Sequence, residues 1–176
     1  MGRDRRFFDA REIYHLTMHA VDGLAAFDDD DDRQDFVLRL GRGTASASWR
    51  LYAACLMTTH YHLVIQPAGA EVSNAMRNLN GGFARMFNAR RNRRGAVWEA
   101  RFAAETVTEQ AHLVAAIRYV AQNPVKAGLA RRPQDWPWST YGQVLGTQKR
   151  WPCFDPLLPI EVFGGLRLLR AYVEGV

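Results

Sequence analysis

Residues 57–67, Met-Thr-Thr-His-Tyr-His-Leu-Val-Ile-Gln-Pro, restrict the fold more than any other stretch. From Tyr61 to Ile65 the run is apolar and rich in β-formers, and Pro67 closes it, which predicts a strand. Side chains alternate along a strand, so His60 and His62 share one side, about 7 Å apart. Tyr61, Leu63 and Ile65 take the opposite side. Two imidazoles at that spacing can converge on one metal ion or one phosphate. They can equally be partly buried histidines filling space beside a core.

The rest of the chain alternates strand and helix signals. Residues 13–21 predict a first strand, with Tyr14, Leu16 and Met18 on one face and Ile13, His15, Thr17 and His19 on the other. Five aspartates, Asp28 to Asp32, precede the helical spacing of Phe36, Val37 and Leu40. Carboxylates cap free amides and complement the dipole at a helix start, so they predict an N-terminus rather than a metal site. Gly41 and Gly43 predict the end of that helix, with a loop over 44–48. Residues 49–57 predict a mostly apolar and therefore central strand. It joins the histidine strand through the tight Thr58-Thr59 link as a hairpin. Residues 72–92 predict a long helix on Met76, Leu79, Phe83, Met86 and Phe87. Its far end carries Arg90, Arg91, Arg93 and Arg94, more positive charge than a helix end needs, and this predicts a phosphate-binding patch. Residues 96–106, with Trp98 and Arg101, predict a fourth strand, and 109–123 a last long helix. Strand, helix, strand, strand, helix, strand spells the βαββαβ unit of ferredoxin-like α+β folds: a mainly antiparallel sheet with helices on one face. Residues 1–141 would form that domain, and 142–176 a C-terminal helical extension packed on it.

At about 100° per residue, Leu113, Ile117 and Val120 define the core face of the last helix. Tyr119 falls roughly 150° from its centre, with Asn123 and His112 within about 20° of Tyr119. Tyr119 and Asn123, four residues apart, therefore point together away from that stripe. By themselves they describe a surface tyrosine and an asparagine that ends a helix before Pro124. If the helix packs on the histidine face, a phenol, an amide and two imidazoles meet. Asn123, His60 and His62 would then supply three ligands, leaving room for water and a phosphate oxygen. Tyr119 would be a candidate nucleophile beside them.

These residues also carry a resemblance. The His60-Tyr61-His62 strand, the run Tyr119-Val-Ala-Gln-Asn123-Pro-Val-Lys126-Ala-Gly-Leu129 and the segment Trp136-Pro-Trp138-Ser-Thr-Tyr141 together resemble the REP-associated tyrosine transposases. Those are relatives of the single-tyrosine HUH insertion-sequence transposases. Trp98-Glu-Ala-Arg101-Phe102 is similar to that family's fourth-strand signature, and Phe163-Gly164 with Tyr172-Val-Glu-Gly175 to its C-terminal segments. The likeness runs from about Tyr14 to the end. It implies that Tyr119 attacks a phosphodiester of single-stranded or hairpin DNA, giving a 5′-phosphotyrosine and a free 3′-hydroxyl. It also implies that His60, His62 and Asn123 hold one Mg²⁺ or Mn²⁺. A phenol ordinarily ionises near pH 10, so such a nucleophile needs positive surroundings or a base. The sequence departs from the family where the first strand ends: His19-Ala20-Val21-Asp22 stands in place of an arginine and an asparagine.

Composition agrees with these expectations. A chain of 176 residues with net charge +5 suits one domain with an anionic partner. Arg90, Arg91, Arg93, Arg94, Arg101 and Lys126 are the candidate phosphate contacts. Trp136 and Trp138, spaced by a proline, predict a loop anchored to the core. Cys55 and Cys153 lack metal or redox spacing, and Arg3, Arg5 and Arg6 precede no apolar leader. No run approaches the roughly 20 residues of a membrane span. The chain reads as a cytoplasmic enzyme, monomer or homodimer, that nicks and rejoins DNA. The competing readings are a nucleic-acid-binding regulator on the same fold without cleavage, and a two-histidine phosphodiesterase that uses water; no second histidine strand supports the latter.

Overall fold

Every strand of the sheet pairs antiparallel with its neighbours. The computed structural model describes residues 7–69 and 71–175. The early arginines Arg3, Arg5 and Arg6 lie outside them. In chain order the elements are β1 (Ile13–His19), α1 (Asp30–Ala47), β2 (Arg50–Leu56), β3 (His60–Gln66), α2 (Val72–Arg90), β4 (Ala103–Val107) and α3 (Gln110–Lys126). A 3₁₀ turn (Pro133–Asp135), α4 (Tyr141–Val144), α5 (Leu157–Val162) and α6 (Leu166–Glu174) follow. The sheet order β2-β3-β1-β4 is that of the ferredoxin-like fold, and the histidine strand β3 is central.

The two faces of the sheet are covered differently. Alternation sends Tyr14, Leu16, Met18, Tyr61, Leu63 and Ile65 to one face, where Phe36 and Leu40 of α1 and Met76, Leu79 and Phe83 of α2 meet them. The α1–α2 contact is close at Gly82, where a Cβ would stand 2.6 Å from the Arg39 guanidinium of α1 and make that side chain move. Helix α3 lies on the other face. Leu113, Ala116, Ile117 and Val120 cover Tyr52, Ala53, Cys55 and Val64, so α3 sits over the β2 end. Toward β1 and β4 that face stays open.

Four boundaries differ from the sequence expectation. Helix α1 does not stop at Gly41 or Gly43; it continues to Ala47 and is closed by Ser48 at φ 52°. Burial of Thr44, whose hydroxyl donates to Gly41 O at 2.9 Å, outweighs the weak helix propensity of glycine. Strand β2 is an edge strand, not a central one. It is apolar because both its faces are covered and its free edge is paired. Leu56 N donates to Trp138 O and Thr140 N to Ala54 O, each at 2.9 Å. The fourth strand is only Ala103–Val107. Ahead of it Trp98 turns inward, its ring against Tyr61 and Phe83 and its Nε1 donating to Asn80 O at 3.0 Å. Helix α3 passes through Pro124 to Lys126, so Asn123 is helical despite preceding a proline.

The tryptophan pair anchors its loop as expected: Trp136 Nε1 donates to Leu56 O, and Trp138 Nε1 to an Asp30 carboxylate. The C-terminal helices pack on the same body, with Leu169 and Val173 of α6 in the main core and Leu158 and Val162 of α5 against the α3 cluster. Among the described residues no helix is long and apolar enough to cross a membrane.

The aspartate run starts α1, as its composition predicts. Asp29 is the N-cap and forms a capping box with Asp32. Asp32 is 0% exposed and also binds both arginines at the end of α2: Arg90 Nη1 at 3.0 Å and Arg91 Nη2 at 2.6 Å. One carboxylate thus staples the start of α1 to the end of α2. Asp32→Ala leaves two guanidiniums without their buried partner. The expected loss is about 3 kcal/mol, the low end for a broken buried pair, because both guanidiniums keep access to water. Urea denaturation of the variant beside the parent checks this, and a loss under about 1 kcal/mol would mean that the staple carries little.

Candidate active site

The β1–β3 register builds the floor of the site. Thr17 stands opposite His62 and His19 opposite His60. Cross-strand partners share a face, so His15, Thr17, His19, His60 and His62 form one patch on the open side of the sheet. The His60 and His62 rings are 5.0 Å apart between centroids and perpendicular, and His19 stacks on His60 at 4.8 Å. His62 Nδ1 lies 3.0 Å from His15 Nε2 and 3.2 Å from Thr17 Oγ1. Its other nitrogen, Nε2, is buried with no hydrogen-bond partner.

Helix α3 forms one wall. Because it covers the β2 end only, its outward stripe borders an open cleft of about 610 Å³ with His15, His19, His60, His62, Glu105, His112 and Tyr119 in its lining. The Tyr119 ring stands edge-on to His62 at 5.5 Å and lies 5.8 Å from His15, and the residue is 42% exposed. Lys126 Nζ sits 4.9 Å from the centroid of the same ring. Tyr119 and the two predicted histidines therefore come together. Asn123 does not join them in the cleft. It is 9% exposed, its amide donates to Tyr119 O at 3.2 Å, and it is absent from the cleft lining.

The sequence alone does not assign His15, Thr17, His19 or Glu105 to this site. Strand alternation alone puts His15 and His19 on one face of β1. Only the pairing of β1 with β3 brings that face beside His60 and His62. His112, on the same stripe of α3 as Tyr119, lines the cleft 3.7 Å from Glu105. The predicted arginine patch lies elsewhere. Arg90 and Arg91 belong to the helical layer behind the sheet and pair with Asp29, Asp31 and Asp32. Arg93 donates to Asn88 and to Ala96 O, bracing the turn that leaves α2. Arg94, Arg101 and Lys126 are exposed.

Burial keeps His15, His60 and His62 uncharged. His62 is 4% exposed, and loss of solvation, reinforced by His15, His60 and His19, lowers its pKa from 6.5 to about 3. Burial also lowers His60, with His19 adding to the effect, and it lowers His15 against the pull of Glu105. Neutral imidazoles present lone pairs. An unpartnered buried Nε2 on His62 beside His60 fits a divalent cation that accepts nitrogen and oxygen donors. Among the described residues no three His, Cys, Asp or Glu side chains are grouped to hold such an ion, so two histidines would need other donors.

The same shift sets a pH dependence. Below about pH 6.5 the unfolded chain binds a proton at His62 that the folded chain refuses until about pH 3, so stability falls on acidification through that window. Between pH 7 and pH 5 the expected loss from His62 is about 1–2 kcal/mol. Urea denaturation at both pH values should give that loss for the parent and a smaller one for His62→Gln; equal losses would refute the assignment.

The comparisons with known proteins agree with this geometry. The family model described as "Transposase IS200 like" matches residues 12–123, which include β1, both histidines, Tyr119 and Asn123. A Haemophilus influenzae protein named for the REP-associated tyrosine transposases is 27% identical over 152 residues, covering 80% of this chain and 86% of its own. The solved structure of a REP-associated tyrosine transposase bound to a REP hairpin superposes with a TM-score of 0.68 at 17% identity, covering 83% of this chain and 86% of that one. The family match spans well over half of the sequence and contains the whole histidine–tyrosine site, and the chain belongs to the IS200-like transposase family.

Proposed function

We propose that this transposase nicks and rejoins single-stranded DNA at hairpin-bearing repeats, with Tyr119 as the nucleophile. The observation that carries the reading is the half-exposed Tyr119 ring standing against His62 at the mouth of an open cleft. In the reaction Tyr119 Oη forms a bond to phosphorus, the bond from phosphorus to the 3′-oxygen breaks, and that oxygen takes up a proton. The products are a 5′-phosphotyrosine and a free 3′-hydroxyl. Attack by a 3′-hydroxyl on the phosphotyrosine reverses the step and restores the phenol. The covalent link conserves the bond energy, so no nucleotide cofactor is needed.

The residues around Tyr119 suit this work. Lys126, over the ring, brings an ammonium group to the nucleophile's side of the cleft, where it can attract a phosphate. His60 and His62 would hold Mg²⁺ or Mn²⁺. When bound, the ion supplies stabilisation of the charge that builds on the non-bridging phosphate oxygens. Asn123 completes the ligand set on its place in the motif; its Nδ2 donates to Tyr119 O, so Oδ1 is the atom that would coordinate. Arg94, Arg101 and Lys126, exposed to solvent, are the proposed backbone contacts for DNA. Arg90 and Arg91 contribute less, since Asp29, Asp31 and Asp32 neutralise them, and Arg93 contributes less because it braces the turn after α2. The hairpin carried by the structural relative supports the DNA class. A cytoplasmic location accords with that substrate.

Incubating the protein with labelled hairpin-bearing single strands and Mn²⁺ should give an adduct that survives denaturing electrophoresis. Tyr119→Phe removes one exposed oxygen, so the fold and DNA affinity should persist while the adduct disappears. Binding without any adduct from the parent would instead identify a non-cleaving regulator.

The metal reading is tested best at His60, which is less buried than His62 and whose Nδ1 lies 3.1 Å from Thr59 Oγ1. His60→Ala should leave the metal-free melting temperature nearly unchanged, abolish cleavage at saturating DNA and remove the rise in melting temperature that Mn²⁺ gives the parent. A retained Mn²⁺ shift would exclude His60 from the ligand set. Asn123→Ala cleaving as well as the parent at low Mn²⁺ would likewise exclude Asn123.

A further inference from the structure

His15 is not among the expected ligands, yet its Nε2 lies 3.0 Å from Nδ1 of His62, which is one of them. Two neutral imidazole nitrogens at that distance share one proton, and there are two ways to place it. If His15 donates, the N–H of His62 is on Nε2, where it is buried with no acceptor. If His62 donates from Nδ1, His15 Nε2 accepts, and Nε2 of His62 is a bare lone pair. Thr17 Oγ1, 3.2 Å from the same Nδ1, is a second acceptor for that proton. An orphaned buried N–H is among the rarest features of folded proteins, which favours the second arrangement.

We infer that His15, assisted by Thr17, is a positioning residue that holds His62 in the Nδ1–H tautomer and fixes its ring plane so that Nε2 is the coordinating atom. The inference rests on the reading of His62 as a metal ligand. Its physical basis is the partnership common at metal-bound imidazoles, where the second ring nitrogen donates to a fixed acceptor. The strand geometry provides that acceptor without any loop. His15 and Thr17 are two residues apart on β1, so they share a face, and the antiparallel register sets Thr17 directly across from His62. The ring is gripped from two points on one rigid strand, in the centre of the sheet. His15 also contacts the Tyr119 ring at 5.8 Å between centroids, so the strand that orients His62 also borders the nucleophile.

The test uses the whole chain and Mn²⁺ alone as probe. Nitrogen-15 spectra of the histidine-labelled, metal-free protein should show His62 protonated on Nδ1. The double variant His15→Leu with Thr17→Val should show a mixture of tautomers. Mn²⁺ affinity, followed by the paramagnetic resonance of free Mn²⁺, should fall about 10- to 100-fold in His15→Leu. It should recover in His15→Gln, whose side-chain oxygen can accept the same proton. Metal-free melting curves establish that each variant is folded. A parent His62 protonated on Nε2, or a folded His15→Leu that binds Mn²⁺ as tightly as the parent, overturns the inference. If His15→Leu does not fold, the tautomer of the parent decides. His62→Ala separates the two levels: unchanged Mn²⁺ binding there overturns the metal reading itself. Lost binding there with unchanged binding in His15→Leu overturns only the role given to His15.

Discussion

The antiparallel pairing of β1 with β3, six residue pairs long in the middle of the sheet, is the constraint on which everything else depends. Strands so far apart in sequence meet only because β2 and α1 are folded between them, and the loop-closure cost is met by the aromatic and aliphatic residues that the pairing buries. One register decides two surfaces at once. On one side it aligns Tyr14, Leu16 and Met18 with Tyr61, Leu63 and Ile65 as the platform for α1 and α2. On the other it aligns His15, Thr17 and His19 with His60 and His62. A slip by one residue would send the imidazoles into the apolar core and the aliphatic residues to the cleft. The core therefore polices the geometry of the site.

The second constraint is the partial cover given by α3. Its apolar stripe is matched to β2, the edge strand whose Tyr52 and Ala53 both face it through a bulge in the ladder. That match draws α3 to one end of the sheet and leaves the β1–β4 end open, so a cleft follows from packing rather than from a special loop. The stripe that faces away from β2 carries Tyr119 and His112, which become the wall. Continuation of α3 through Pro124 extends the helix to Lys126, and this places an ammonium group over the tyrosine ring. Had the helix ended at Asn123, as the proline suggests, that contact would not follow from the helical geometry.

What was legible in the sequence was periodic. Alternation in residues 60–66 and 13–19 and the helical spacing of Leu113, Ile117 and Val120 gave strand faces, fold class and the position of Tyr119. What was hidden depended on contacts between distant segments. Gly41 and Gly43 look like a helix end until α1 is seen packed along its length. An all-apolar β2 looks central until residues 138–140 are found closing its edge. His15 and His19 carry no signal of their own, since a histidine alternating with apolar residues is ordinary in a half-buried strand. Only the partner strand makes them part of the site. Asp28–Asp32 and Arg90–Arg94 were each read in isolation, as a cap and as a phosphate patch. Fifty-eight residues separate Asp32 from Arg90, and nothing local shows that they neutralise each other.

That mutual neutralisation changes where the protein's charge can act. Arg90 and Arg91, half of the arginines in the densest positive run of the sequence, face three carboxylates across the α1–α2 layer, on the side of the sheet away from the cleft. Their outward field is correspondingly weak, because attraction and repulsion cancel within a few ångströms while a phosphate would approach from farther away. The cleft floor adds little positive charge either: burial holds His15, His60 and His62 neutral, and Glu105 adds a carboxylate to the wall. Among the described residues that line the cleft, Glu105 repels an entering phosphodiester and no lysine or arginine offsets it, while Lys126 stands over the Tyr119 ring. Under the proposed function the missing charge is the divalent ion, and the neutral state of His60 and His62 is what makes its binding favourable, since protonated histidines would repel it. Ion and DNA backbone then depend on one another in the same cleft, each relieving a cost imposed by the other.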